Sequence, residues 1–243
     1  MWADINDDWE ILKSDNHDDY AATAFKNGDT IVIAYRGTDS FIGTGDWLGA
    51  NVAIANPSAD WDYQFQKAIE FADYVIKEYK DSNDQVLVTG HSLGGALSEV
   101  VTKLFDWGGA TFDPGGAENI TWSSEYQQNI VRDTNGNPSN NNGSGTYFIN
   151  YCVTNSLVSG ASGGHIGPIE YLDAYGNTFI QAARTTVIAA AAAVNYWSYP
   201  VLRLLETYYL HSISGIVELM QAKAEGTEDT VWQNGYDTNL TKR

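Results

Sequence analysis

Apolar residues recur at two different spacings along the chain, and the spacing changes where the elements change. The stretch YAATAFKNGDTIVIAY, residues 20–35, reads as two strands folded about Asn27-Gly28, a dipeptide suited to the positive φ of a tight hairpin. Phe65, Ala68, Ile69, Ala72, Ile76 and Tyr79 then fall at helical spacing, which predicts an amphipathic helix over 62–80. QVLVTG, residues 85–90, is a short β-branched run without alternation, the pattern of a strand covered on both faces of a parallel sheet. A second helix is expected over 96–105, and further strands over 108–112 and 146–153.

Between the last two strands lies RDTNGNPSNNNGSG, a polar, glycine-rich loop. GHIGPIEYLDAYGNTFIQAA, residues 164–183, reads as a second hairpin turning near Gly176-Asn177, and an Ala-rich helical region interrupted by Pro200 follows. Strands alternate with helices, no repeat appears and no linker divides the chain. The expected class is therefore α/β, with a mostly parallel central sheet flanked by helices and one domain over 1–243.

Composition narrows the function. The 31 Asp and Glu against 13 Lys and Arg give a formal charge of −18, which repels nucleic acid and anionic membranes. Cys152 is the single cysteine, so no intrachain disulfide is available and the redox compartment is not indicated. The first residues, MWADINDDWE, lack the basic segment and apolar run of a secretory signal. The most apolar run, Val187–Val194, falls well short of the roughly 20 residues a membrane-spanning helix needs. The acidic clusters DINDD and DNHDD lack the spaced Asp-x-Asp-x-Asp-Gly ligand pattern. They read as solvated faces, and no motif supports a structural Ca²⁺ or any other metal or cofactor.

The chemistry concentrates at GHSLGG, residues 90–95. Gly90, Ser92 and Gly94 spell G-x-S-x-G between an expected strand and an expected helix. On such a turn the seryl oxygen is exposed near a helix N-terminus, and flanking glycines relieve crowding by neighbouring backbone. A seryl hydroxyl needs a base to act as a nucleophile, and acyl transfer needs donors for the oxyanion. One donor comes with the turn, the N–H of Leu93. A second is expected from the loop after an earlier strand, where IVIAYRGTDS places Thr38. A phosphate-binding loop is excluded because no Lys-Ser/Thr pair follows the glycines.

AYRGTDS, GDWLGANV, GHSLGGAL and ATFDPGGA, together with the late histidine segments, resemble the lipase (class 3) family of α/β-hydrolases, and the resemblance runs from about Tyr20 to Met220. It implies the α/β-hydrolase fold, an oxyanion hole formed by Thr38 and Leu93, and carboxylic esters of lipids as substrates, triglycerides and phospholipids among them. It also implies action at a lipid–water interface and an extracellular setting; without export the protein would be cytoplasmic. The expected activity is that of a lipase or esterase. The alternatives are a phospholipase A1 or short-chain esterase and, outside the enzymes, a catalytically weak lipid-binding module on a hydrolase scaffold. Oligomeric state is not indicated.

Four histidines compete for the role of base. His17 lies in an acidic stretch ahead of the expected first strand, and His91 adjoins the nucleophile with its side chain expected to point away. Triads on this fold run Ser, acid, His. His211 fits that order, and its segment HSIS resembles the family's base segment; His165 is the alternative, with a packing role expected for whichever is not used. In the family the acid follows the strand corresponding to YFINYCV. Here VTNSLVSG places Ser156 in that slot, with Asn155 beside it, and neither is a carboxylate. Asp113, directly after GGATF, is the alternative acid, against a plain turn-forming role before Pro114-Gly115; Asp173 is a weaker candidate. Two apolar segments, 41–54 and 187–205, are candidates for a cover over the site, the second equally readable as a core helix.

Overall fold

The computed structural model describes residues 8–17, 20–37, 59–122, 147–154, 156, 158–159, 164–173, 216–217 and 219–221. The chain divides into two compact units, residues 1–152 with 157–170, and residues 153–156 with 171–243.

The strands of the sheet lie side by side in chain order: β1 (Glu10–His17), β2 (Tyr20–Asn27), β3 (Thr30–Tyr35), β4 (Gln85–His91), β5 (Gly108–Phe112), β6 (Phe148–Val153) and β7 (Ile169–Leu172). β1, β2 and β3 pair antiparallel, and β3 through β6 pair parallel. Helix α1 (Ala59–Tyr79) links β3 to β4, and helix α2 (Leu93–Phe105) links β4 to β5. A 3-10 turn follows at Glu118–Trp122.

The hairpin, α1 and the strands at 85–91, 108–112 and 148–153 follow the sequence pattern. β2 and β3 alternate as expected: Tyr20, Ala22 and Ala24 on one strand and Ile31, Ile33 and Tyr35 on the other are buried. Register places these side chains on one face of the sheet, continued by Val86 and Val88 of β4. Phe65, Ala68, Ile69, Phe71, Ala72 and Val75 of α1 and Leu97, Val100, Val101 and Leu104 of α2 join the same core. The Tyr35 hydroxyl donates to the Ala68 carbonyl of α1 at 3.0 Å. Each fully buried Val or Ile here contributes roughly 1.5–3 kcal/mol.

Four expectations change. β1 is an additional strand, and it is polar: only Leu12 of its apolar residues packs against the core, while Ile11 is exposed. His17 therefore ends a strand rather than preceding the first one; its ring is exposed and lies 3.4 Å from Asp15. β4 has one buried face and one half-buried face instead of two covered ones. α2 begins at Leu93, three residues earlier than its apolar periodicity suggests, so Gly94 and Gly95 are helical. Close approach demands glycine there, and it overrides the poor helix propensity of that residue. His165 opens no strand: it lies in the loop before β7.

In the second unit, Thr154 donates from its N–H and Oγ1 to the Leu172 carbonyl at 3.0 and 2.7 Å, and the Ser156 N–H donates to the Val153 carbonyl at 3.0 Å. Ile216 and Leu219 are buried. The expected turn at Gly176-Asn177 and both cover segments fall outside the described residues. Among the described residues, no helix is long and apolar enough to cross a membrane. A mostly parallel sheet, a tight strand-to-helix turn at Ser92 and flanking helices make this the α/β-hydrolase fold.

Candidate active site

β4 ends at His91 and α2 starts at Leu93, leaving Ser92 alone to turn the chain. Its dihedrals are φ 57° and ψ −124°. A serine rarely adopts this backbone, so the surrounding structure must hold it there, and such strain clusters at functional positions. The Ser92 side chain does not cap α2. The backbone is fixed at both ends: the Ser92 N–H donates to the Phe112 carbonyl at 3.2 Å, and its own carbonyl accepts from Gly95, Ala96 and Gly115 at 3.0, 3.2 and 3.2 Å.

The motif glycines are explained by contact. A Cβ on Gly90 would overlap the Gly94 carbonyl, and one on Gly94 would overlap the Tyr35 carbonyl at the end of β3. A Cβ on Gly37 would lie 2.8 Å from the His91 carbonyl oxygen and 3.3 Å from Ser92 Cβ. The loop leaving β3 is thus packed directly on the serine turn, and Thr38 is the next residue along it. Thr38 itself lies outside the described residues, as does His211. Leu93 is buried; as the first residue of α2 its N–H has no partner within the helix.

Asp113 follows β5 immediately and is completely buried, with φ 41° and its N–H donating to the Tyr151 carbonyl at 2.7 Å. Because Phe112 accepts the Ser92 N–H, Asp113 is one residue from the serine's own hydrogen-bond partner. Ser156, in the second unit, is 4% exposed. Asp173 is half-buried beyond the end of β7.

His165 is already engaged. Its Nδ1–H donates to Glu99 Oε1 at 2.7 Å, and its Nε2–H points to the Ser159 carbonyl at 3.1 Å with Cys152 Sγ 3.7 Å away. Burial works against charge on the ring, but the contacts with Cys152 and Glu99 outweigh it and hold the pKa at about 10. A doubly donating imidazolium has no lone pair with which to take a proton. Glu99 is fully buried on α2, and its Oε2 accepts N–H groups of Ala117 and Ile166 at 3.1 and 3.0 Å. Sequence reasoning missed this residue. The available signal was one carboxylate inside the apolar run ALSEVV, where an amphipathic surface helix would not put it. No cluster of three or more His, Cys, Asp or Glu residues suited to a metal occurs among the described residues.

A family model described as Mbeg1-like matches residues 4–106. No curated protein matches the chain. Among solved structures it is similar to lipase II from Rhizopus niveus, at 17% identity and a TM-score of 0.42 over 63% of this chain. The chain spans 60% of the length of that lipase. It is also similar to the M37 lipase, at 16% identity and a TM-score of 0.47 over 90% of this chain and 82% of that one. An esterase/lipase from an uncultured bacterium is a third, at 12% identity and a TM-score of 0.32 over 68% of this chain and 74% of that one.

Proposed function

We propose that the protein is a serine hydrolase that cleaves carboxylic esters of lipids through an acyl-enzyme on Ser92. The observation that carries this reading is the Ser92 backbone, φ 57° and ψ −124°, on a strand-to-helix turn against which the β3 loop is packed. An idle turn has no need of a strained serine; a nucleophile presented at a helix N-terminus does.

In this reading Ser92 Oγ attacks the ester carbonyl carbon while His211 takes its proton. The carbonyl oxygen becomes an oxyanion, met by the N–H groups of Leu93 and Thr38 and the Thr38 hydroxyl. The tetrahedral species collapses, the C–O bond to the alcohol breaks, and His211 returns the proton to the departing oxygen. Water, deprotonated by the same imidazole, then releases the acid. Each step uses side chains, backbone donors and water, and none calls for a cofactor. His211 and Thr38 take these roles from the family resemblance, and the engagement of both His165 nitrogens supports His211 as the base. Asp113 is the carboxylate we assign to orient it, supported by its burial at the end of β5 beside the serine turn.

One observation favours a second reading, a catalytically weak lipid-binding module: the slot where the family carries its acid holds Ser156. A single assay separates the two. Hydrolysis of p-nitrophenyl esters of several chain lengths is followed for the protein and its Ser92→Ala variant, and equal rates would sink the hydrolase reading. A rate that jumps once the substrate exceeds its solubility marks a lipase over a short-chain esterase. Fatty acid released from the sn-1 position of phosphatidylcholine marks a phospholipase A1.

A further inference from the structure

We infer that Glu99, with His165, is a positioning residue that aims the Leu93 N–H, acting through the loop behind the serine turn. This rests on the reading of Ser92 as a nucleophile.

Glu99 is the only charged residue on the buried face of α2 among the described residues, surrounded in sequence by buried Ala96, Leu97, Val100 and Val101. An apolar residue would pack this position without the cost of desolvating a carboxylate, and buried ion pairs are weak sources of stability. What Glu99 does uniquely is join three segments. Its Oε1 takes the Nδ1–H of His165, and its Oε2 takes the N–H of Ile166 and of Ala117. The first two anchor the loop before β7; the third anchors the chain that leaves β5.

That chain, Asp113 to Ala117, lies against the nucleophile. Asp113 donates its N–H to Tyr151 on β6. Pro114 covers Gly95 so closely that a Cβ there would sit 2.6 Å from the proline Cβ. Gly115 donates its N–H to the Ser92 carbonyl at 3.2 Å. Ser92 C=O and Leu93 N–H belong to one peptide plane, which is trans like every described peptide of the chain. In a trans plane the two groups point in opposite directions. Gly115 holds the carbonyl from outside the helix, beside the Gly95 and Ala96 N–H groups of α2 itself, and so helps set where the Leu93 N–H points on the other side. Glu99 grips the loop two residues beyond Gly115, and His165 fixes the Glu99 carboxylate in turn.

Two variants test the chain of contacts. In Glu99→Gln the amide oxygen can accept the Ala117 and Ile166 N–H groups while its NH₂ donates to Nδ1 of a neutral His165, so every bond survives. Glu99→Ala removes the acceptor. Misaiming one oxyanion donor costs on the order of 10–100-fold. The expected result is that Glu99→Ala lowers kcat by that factor with KM within about twofold, whereas Glu99→Gln stays within about threefold of the parent in kcat. Amide exchange of Gly115, read by NMR without substrate, should speed up at least about tenfold in Glu99→Ala alone, as expected for a released loop. If Glu99→Ala does not accumulate folded, Glu99→Asp, too short to reach both partners, should show the same exchange change. A purely packing role predicts a lower Tm with kcat below melting and Gly115 exchange both unchanged; that outcome overturns the inference. The exchange readout needs no turnover. If the parent protein proves no faster than Ser92→Ala on esters, the hydrolase reading falls while the bracing of the loop is still decided by Gly115.

Discussion

Glu99 Oε1 lies 2.7 Å from His165 Nδ1, with the two side chains 0% and 5% exposed. Breaking such a pair by removing one partner costs roughly 3–5 kcal/mol, because the other charge stays buried. The ring's pKa is raised from its usual 6.5 to about 10. A raised value means that the folded state holds the proton more tightly than the unfolded chain. The stabilisation is therefore complete below about pH 6.5 and disappears as pH rises through about 10. Urea unfolding of the parent and a His165→Gln variant should differ by about 3 kcal/mol at pH 6 and converge toward pH 10. A gap that stays constant over that range would show that the ring is neutral in the folded protein.

The packing of Gly37 and Gly94 gives a second prediction. A methyl at Gly94 meets the Tyr35 carbonyl, which is sheet backbone and cannot yield; Gly94→Ala should lower stability by roughly 1–3 kcal/mol and abolish detectable turnover. A methyl at Gly37 meets the His91 carbonyl from a loop, which can retreat. Gly37→Ala should therefore keep most of its stability, as judged by Tm, while kcat falls by about tenfold or more through displacement of Thr38. Wild-type kcat in a folded Gly37→Ala protein would disconnect that loop from catalysis.

The parts of this fold that were legible in sequence are those where one local rule acts alone. Asn27-Gly28 announces the β2–β3 hairpin, and the spacing from Phe65 to Tyr79 announces α1, because turn chemistry and helical periodicity are short-range properties. The strand-to-helix turn at Ser92 was legible for the same reason. β1 was not: EILKSDNH carries no alternating apolar face, and it becomes a strand by pairing with β2 at the sheet's edge. The start of α2 was misplaced because Gly94 and Gly95 answer to Tyr35 and Pro114, residues far away in sequence. Glu99 and His165 are 66 positions apart, so no motif could announce their pairing. Asp113 likewise reads as a turn residue until β4 and β5 are set side by side.

The two histidines left in contention by sequence should separate cleanly in function. His165 has both nitrogens committed, to Glu99 and to the Ser159 carbonyl, and supplies no lone pair. His165→Ala should lower Tm and, by releasing the Glu99 carboxylate, lower kcat of the folded protein by no more than the roughly 10–100-fold expected of Glu99→Ala. His211→Ala should retain the parent Tm and lose about 10³-fold or more in kcat, as when a triad base is removed. The reverse pattern would return the base to His165 and require the Glu99 pair to open.

The assignment of the orienting acid turns on Asp113 and Ser156. Asp113 is completely buried, one residue beyond the carbonyl that accepts the Ser92 N–H, and its φ of 41° sets it apart from ordinary strand geometry. A turn-forming aspartate needs neither burial nor charge, and asparagine tolerates the same left-handed backbone. Asp113→Asn is therefore a selective test: it keeps shape and φ and removes only the negative charge. If the carboxylate holds the His211 imidazole in the productive tautomer, kcat should fall by about 10³–10⁴, as in serine proteases when the triad acid becomes an amide, with KM little changed. Ser156→Ala removes a hydroxyl from the slot in which the sequence resemblance leads one to expect the acid, and should leave kcat within about threefold if that slot is unused. Should Ser156→Ala instead prove the damaging change while Asp113→Asn stays active, the base would be steadied by a neutral hydroxyl. The unusual backbone at Asp113 would then serve only to turn the chain toward Pro114.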